Sequence, residues 1–208
     1  MNIQLEASGI KKVFNRRVIF RNISFSLRER NTLLITGRNG SGKSTLIKII
    51  SSVLSPTAGS IRIVSNDMPA RPQAYAQLTG LVSPYLQMYD EFSAREMLSL
   101  ALAIRGMRAS GTIIVDLLRR VSLEDRCDDP VRTYSSGMKQ RVKYAFALIH
   151  RPPVLLLDEP MANLDAEGVA IVQDIMEEQR REGILIVATN DLRDIRTYDL
   201  QIDLNAIH

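Results

Sequence analysis

At 208 residues and 23.4 kDa the chain has the length of one domain, or of one domain with a small subdomain, which excludes a string of modules. Hydrophobic residues make up 45% and charged residues 24%, the balance of a folded chain and not of a disordered or fibrous one. Lys and Arg number 27 against 23 Asp and Glu, a net charge of +4 without any basic run longer than a pair; no nucleic-acid partner is expected, and the charge suits a place beside an anionic membrane face.

Residues 1–10, with Gln4, Glu6 and Ser8, carry no apolar core of the kind a secretory signal needs. The most apolar runs, 98–104 and 154–157, fall far short of the ~18 residues of a membrane span, so any membrane role is expected to come through a partner. Cys127 is the only cysteine; an internal disulfide and a thiolate-rich metal site are excluded, and a reducing cytosol is favoured.

In chain order, residues 3–14 and 18–27 are rich in β-branched and aromatic residues around Asn15, Arg16 and Arg17, which predicts two strands and a turn. Residues 32–36 form a short apolar strand that meets a Gly-rich turn at Gly37. A helical pattern follows in Leu46, Ile47, Ile49, Ile50 and Val53, closed by Ser55 and Pro56. A strand over 60–64 leads through a polar, Pro-containing stretch to another over 79–82. The apolar spacing then turns helical over 91–109 and 112–121, with Ser93 and Glu96 as a capping box. After Pro153 the order is strand 154–157, helix 165–181, strand 184–188 and strand 200–204. This alternation predicts an α/β fold, one domain over 1–208, with a mostly parallel sheet in 1–82 and 153–208, an antiparallel β start, and an inserted α-helical subdomain within about 83–152.

Gly37-Arg38-Asn39-Gly40-Ser41-Gly42-Lys43-Ser44, followed by Thr45, fits the phosphate-binding loop G-x-x-x-x-G-K-[ST] between a strand and a helix. Its glycines let backbone N–H groups turn toward phosphates, the helix start adds positive potential, Lys43 reaches the outer phosphates and Ser44 can ligate Mg²⁺. Downstream, the apolar strand 154–157 ends in Asp158 and Glu159. Alone this is a buried strand with a polar end. Beside a phosphate loop, Asp158 can hold Mg²⁺ through water and Glu159 can polarise the attacking water as general base. Between them Tyr134-Ser135-Ser136-Gly137-Met138-Lys139-Gln140-Arg141 opens a helical run, with Ser135 or Ser136 as cap.

Together with Asp158-Glu159-Pro160 and Asn163-Leu164-Asp165, these elements resemble the ATPase domains of ATP-binding cassette transporters, over nearly the whole chain from Ile3 to Leu204. The resemblance implies a P-loop NTPase core that binds ATP with Mg²⁺. It also implies a head-to-tail dimer in which Ser135, Ser136, Gly137 and Met138 of one subunit close over the γ-phosphate held by Lys43 of the other; the signature here is Tyr-Ser-Ser-Gly-Met in place of Leu-Ser-Gly-Gly-Gln. Asn163-Leu164-Asp165 matches the loop that connects the two sites. Phe14 falls where the family stacks an aromatic on adenine, the alternative being a core-facing strand phenylalanine.

Two positions depart from the family. Pro84, within Ser83-Pro84-Tyr85-Leu86-Gln87, stands where a glutamine contacts Mg²⁺ and senses the membrane partner, leaving Gln87 as a substitute only if the loop takes another path. Asn190 stands where a histidine bonds the γ-phosphate; it can donate hydrogen bonds but carries no titratable proton, and neither His150 nor His208 follows the required strand. The resemblance therefore implies an ATPase of reduced rate that powers a transmembrane transporter subunit from the cytoplasmic face of the membrane. Alternatives are a regulatory ATP-binding module with little turnover and a soluble ATPase outside transport. The short length resembles small exporter-type ATPases. Tyr85, Leu86, Met88, Tyr89 and Phe92 are expected to form the partner surface, because aromatic and Met enrichment marks an interface core.

Overall fold

The computed structural model describes residues 2–108, 111–195 and 197–206; Met1, Ala109 and His208, which enter the readings above, lie outside them. Strands β1 (Ile3–Phe14) and β2 (Arg17–Arg28) pair as an antiparallel hairpin. Its turn needs only Asn15 and Arg16, both with positive φ (46° and 69°), as a two-residue turn matched to strand twist requires, so Arg17 belongs to β2. After β3 (Thr32–Thr36) comes α1 (Lys43–Ile50). This helix stops before Val53, contrary to the periodic pattern. Ser52 takes φ 60°, which ends the helical path and turns Val53 into solvent.

β4 (Ala58–Ser65) joins the free edge of β1 and β5 (Met68–Pro69) joins β4, giving an antiparallel sheet in the order β2-β1-β4-β5. The short helix α2 (Tyr75–Leu78) leads into β6 (Thr79–Val82). The helical segments α3 (Ala94–Ile104), α4 (Gly111–Arg120) and α5 (Ser136–Leu148) follow. At the start of α3, Glu96 N donates to Ser93 Oγ (3.2 Å) and Ser93 N donates to Glu96 Oε2 (2.8 Å), so the expected capping box is present. The chain closes with β7 (Val154–Asp158), α6 (Ala166–Glu182), β8 (Ile184–Ala188) and β9 (Leu200–Asp203).

The second sheet is parallel, in the order β6-β7-β8-β3-β9. β7 and β8 are buried at every residue, which is why both read as unbroken apolar runs with no alternation. Alternate side chains still go to opposite faces. Leu33, Ile35, Leu156, Ile184 and Ile186 share a core with α1 and the antiparallel sheet, while Leu34, Leu155, Leu157, Leu185 and Val187 share the other, larger core with α3, α5 and α6. Each such Leu or Ile contributes about 1.5–3 kcal/mol on full burial, so the strand positions are held from both sides. This order sets the carboxyl ends of β7, β8 and β3 side by side, where an open parallel sheet presents its loops to a ligand.

Candidate functional site

The loop after β3 turns on glycines. Gly42 has φ 105°, and a Cβ there would lie 2.6 Å from Ile19 Cγ2, so both backbone and space demand glycine immediately before α1. No side chain caps α1 and no acid occupies its first turn, leaving its first amides and its positive end for a ligand. Lys43 Nζ is buried, donating to Gly37 O (2.9 Å) and pairing with Glu159 Oε1 (3.3 Å). Arg38 N donates to Asn205 Oδ1 (3.0 Å), which pins the loop to the end of the chain beyond β9. Ser41 Oγ is buried and unpartnered among the described residues.

β7 delivers the two carboxylates. Asp158 is its last residue, 1% exposed; its Oδ2 accepts from Ser83 Oγ (3.2 Å), Ser44 also bonds it, and Oδ1 is buried without a partner. Burial pushes the Asp158 carboxyl above the usual carboxylate range; the two serines and Lys43 oppose this and Glu159 adds to it. Glu159 leaves the strand at φ 49° with its N–H on Ala188 O (2.8 Å), so its carboxylate turns away from the sheet, toward Lys43 and Thr189.

A cleft of about 650 Å³ opens over these groups, walled by Phe14, Lys43, Ser44, Pro84, Glu159 and Asn190. Phe14 is 43% exposed with Lys12 Nζ 4.7 Å from its ring centroid, so it is not core-facing. Asn190 follows the buried end of β8 and donates from Nδ2 to Asn39 Oδ1 (3.3 Å). Pro84 sits in the wall. Gln87 is exposed and outside it. Lys143 of α5, which sequence reasoning missed, reaches the carbonyls of Ser83 (3.4 Å) and Pro84 (3.3 Å), and burial lowers its pKa. Its only sequence signal is a charge inside an otherwise apolar helical run.

The signature residues stand elsewhere. Ser135, not Ser136, caps α5, with Oγ accepting from Met138 N (3.2 Å). Ser135 and Ser136 are exposed and are not in the wall of the cleft that holds Lys43; Gly137 borders the Asn163 carbonyl and Met138 packs against the larger core. Asn163 has φ 62° and Asp165 caps α6 through Gly168 N (2.8 Å). Of the expected partner surface, Tyr85, Tyr89 and Phe92 are exposed, the last two edge to face at 5.9 Å, and Leu86 is half-buried. Met88 is half-buried, packed against the larger core. Tyr85 also lines the cleft, which adjacency in sequence did not reveal. His150 is half-buried, with Nε2 on Thr79 O (3.1 Å) and Nδ1 unpartnered; burial, then Arg105, pushes its pKa down to about 4.

The family described as ABC transporter matches residues 20–162. The lipoprotein-releasing system ATP-binding protein LolD 1 of Caulobacter vibrioides is 38% identical over 201 residues, covering 90% of this chain and 86% of its own length. A solved ATP-binding subunit of an ABC transporter superposes with a TM-score of 0.79 at 27% identity, over 91% of this chain and 80% of that one. The dimeric post-hydrolysis structure of an ATP-binding cassette bound to ADP and Pi shares the fold, with a TM-score of 0.83 at 22% identity over 96% and 93% of the two chains. Among the described residues no helix is long and apolar enough to cross a membrane.

Proposed function

The chain belongs to the ABC transporter family as an ATPase subunit, and we propose that it powers a membrane-embedded partner by binding and hydrolysing two MgATP in a head-to-tail homodimer. The observation that carries this reading is the separation of parts. Lys43, Ser44, Glu159 and Asn190 line one cleft, with Asp158 bonded to Ser44 beside it, while the capped start of α5 is exposed and outside its wall. A helix start with Ser135 and Ser136 is an anion receptor with no anion of its own chain to receive, which fits a phosphate held by a second copy.

In this reading the triphosphate lies along the loop 37–44, and Phe14 offers a ring face to the base. Lys43 exchanges Glu159 for the outer phosphates, since a phosphate oxygen is the stronger charge-assisted partner. Mg²⁺ fits the donor set: the Ser44 hydroxyl and the buried, unpaired Asp158 Oδ1 are hard oxygen ligands, and so few protein ligands suit an ion that keeps most of its waters. Bound there, Mg²⁺ would neutralise charge on the phosphates. Glu159, released from Lys43, accepts a proton from the attacking water, and Asn190 donates to the γ-phosphate oxygens. Tyr89 and Phe92 supply the core of the surface that meets the membrane subunit on the cytoplasmic face.

Complementation tests the dimer. Ser136→Arg and Lys43→Ala chains should each be inactive alone, and their mixture should regain phosphate release, because one composite site in each mixed dimer is intact. A mixture as inactive as its components would refute a signature acting across subunits.

A further inference from the structure

We propose that Asp194 is a positioning residue for the hydrolytic site, fixing through Thr189 the turn that carries Asn190 to the cleft. The inference rests on the reading of Glu159 as general base. It starts from Thr189, whose side chain is fully buried just past β8 and whose N–H bonds Ile35 O (3.1 Å). A hydroxyl has one proton and two lone pairs. Here Asp194 Oδ2, at 2.6 Å, is by far the shortest acceptor for the proton, and Asp191 N donates to Oγ1 at 3.0 Å. The oxygen is thereby fixed from two sides. Glu159 Oε2 rests 3.4 Å from it, while Oε1 meets Lys43. With its one proton on Asp194, the Thr189 hydroxyl has none to give Glu159 Oε2, so these two oxygens only border each other.

The same clamp orients Asn190. Its neighbours on both sides are tied to one hydroxyl, Thr189 by its own side chain and Asp191 by its N–H, so the residue between them is directed to the cleft and meets Asn39. Asp194 is itself anchored: its N–H bonds Asp191 O (3.1 Å) and the next residue, Ile195, is buried in the larger core. Arg193 makes its hydrogen bonds to Asp191, as a bidentate pair. Without the Asp194 acceptor, the Thr189 proton turns to Glu159 Oε2 or Asp191 O, both at 3.4 Å, and the arrangement loses its single state.

The test compares kcat for phosphate release and ATP affinity in the full chain and in Asp194→Ala, Asp194→Asn, Thr189→Val and Glu159→Gln. Asp194→Ala and Thr189→Val should lower kcat about tenfold, the scale of one hydrogen bond to a charged group, with ATP affinity within about twofold of the parent. Asp194→Asn, whose Oδ1 still accepts from Thr189, should keep most of the rate. Parent kcat in Asp194→Ala, an Asp194→Asn as slow as Asp194→Ala, or a parallel loss of ATP binding would each overturn the assignment. Glu159→Gln separates the two levels: if it is inactive while Asp194→Ala is unimpaired, only the positioning role fails, and if it turns over at the parent rate, the general-base reading fails.

Discussion

Replacing Asn190 is the perturbation for which the cleft gives the clearest magnitude. Asn190 Nδ2 donates to Asn39 Oδ1 at 3.3 Å, a long, neutral, exposed bond worth about 0.5 kcal/mol, so little holds the carboxamide back. A hydrogen bond to a charged phosphate oxygen is worth about 1.5–3 kcal/mol. The difference of about 1–2.5 kcal/mol means that Asn190→Ala should lower turnover by about 5- to 70-fold and leave ATP affinity nearly unchanged, because the loop amides and Lys43 dominate binding. Asn190→His adds reach and a group able to carry positive charge toward the transition state, and should raise turnover about tenfold, or about 1.4 kcal/mol of barrier. Steady-state phosphate release at saturating MgATP on the three proteins is the assay. Three equal rates would refute the reasoning, since Asn190 would then make no contact with the γ-phosphate during reaction.

Lys43→Ala removes the main charge-assisted partner of the triphosphate and should weaken ATP binding about 10- to 100-fold by calorimetry. His150 is neutral in the fold down to about pH 4 but protonates near its ordinary value when unfolded; the unfolded chain thus binds the extra proton between these values, and stability present at pH 7 falls as pH drops toward 4. With water screening at a half-buried ring this is worth about 1 kcal/mol, so melting at pH 5 should lie about 2–4 °C below that at pH 7 from this group, and His150→Gln should remove that part of the difference. Tyr89→Glu should break assembly with the membrane subunit while ATP binding by the isolated chain persists. Tyr85 cannot serve as so clean a probe, because it also lines the nucleotide cleft.

Elements whose burial imposes a period or an unbroken apolar run were legible from sequence: β3 and β8 match expectation residue for residue, and the loop 37–44 stands between strand and helix as its spacing demanded. The end of α1 was not, because Val53 continues the helical period and only the backbone at Ser52 breaks it. The half-burial of Leu86 and Met88 was not legible either, because a loop has no period to say which side chains turn inward. Within the site, motif spacing marked Lys43, Asp158 and Glu159. Thr189, Asp194 and Lys143 carry no motif; they matter through which strand ends the sheet order sets side by side, and through a helix crossing a loop some 60 residues away in sequence.

The central claim is that Glu159 drives hydrolysis of ATP held between two copies of this chain. Glu159→Gln with saturating MgATP, examined by light scattering after size exclusion with bound nucleotide identified, tests it most directly. The account predicts a species of twice the 23.4 kDa chain mass that retains unhydrolysed ATP and releases no phosphate. A monomer with ATP bound would contradict the sandwich, and phosphate release at the parent rate would contradict the role of Glu159.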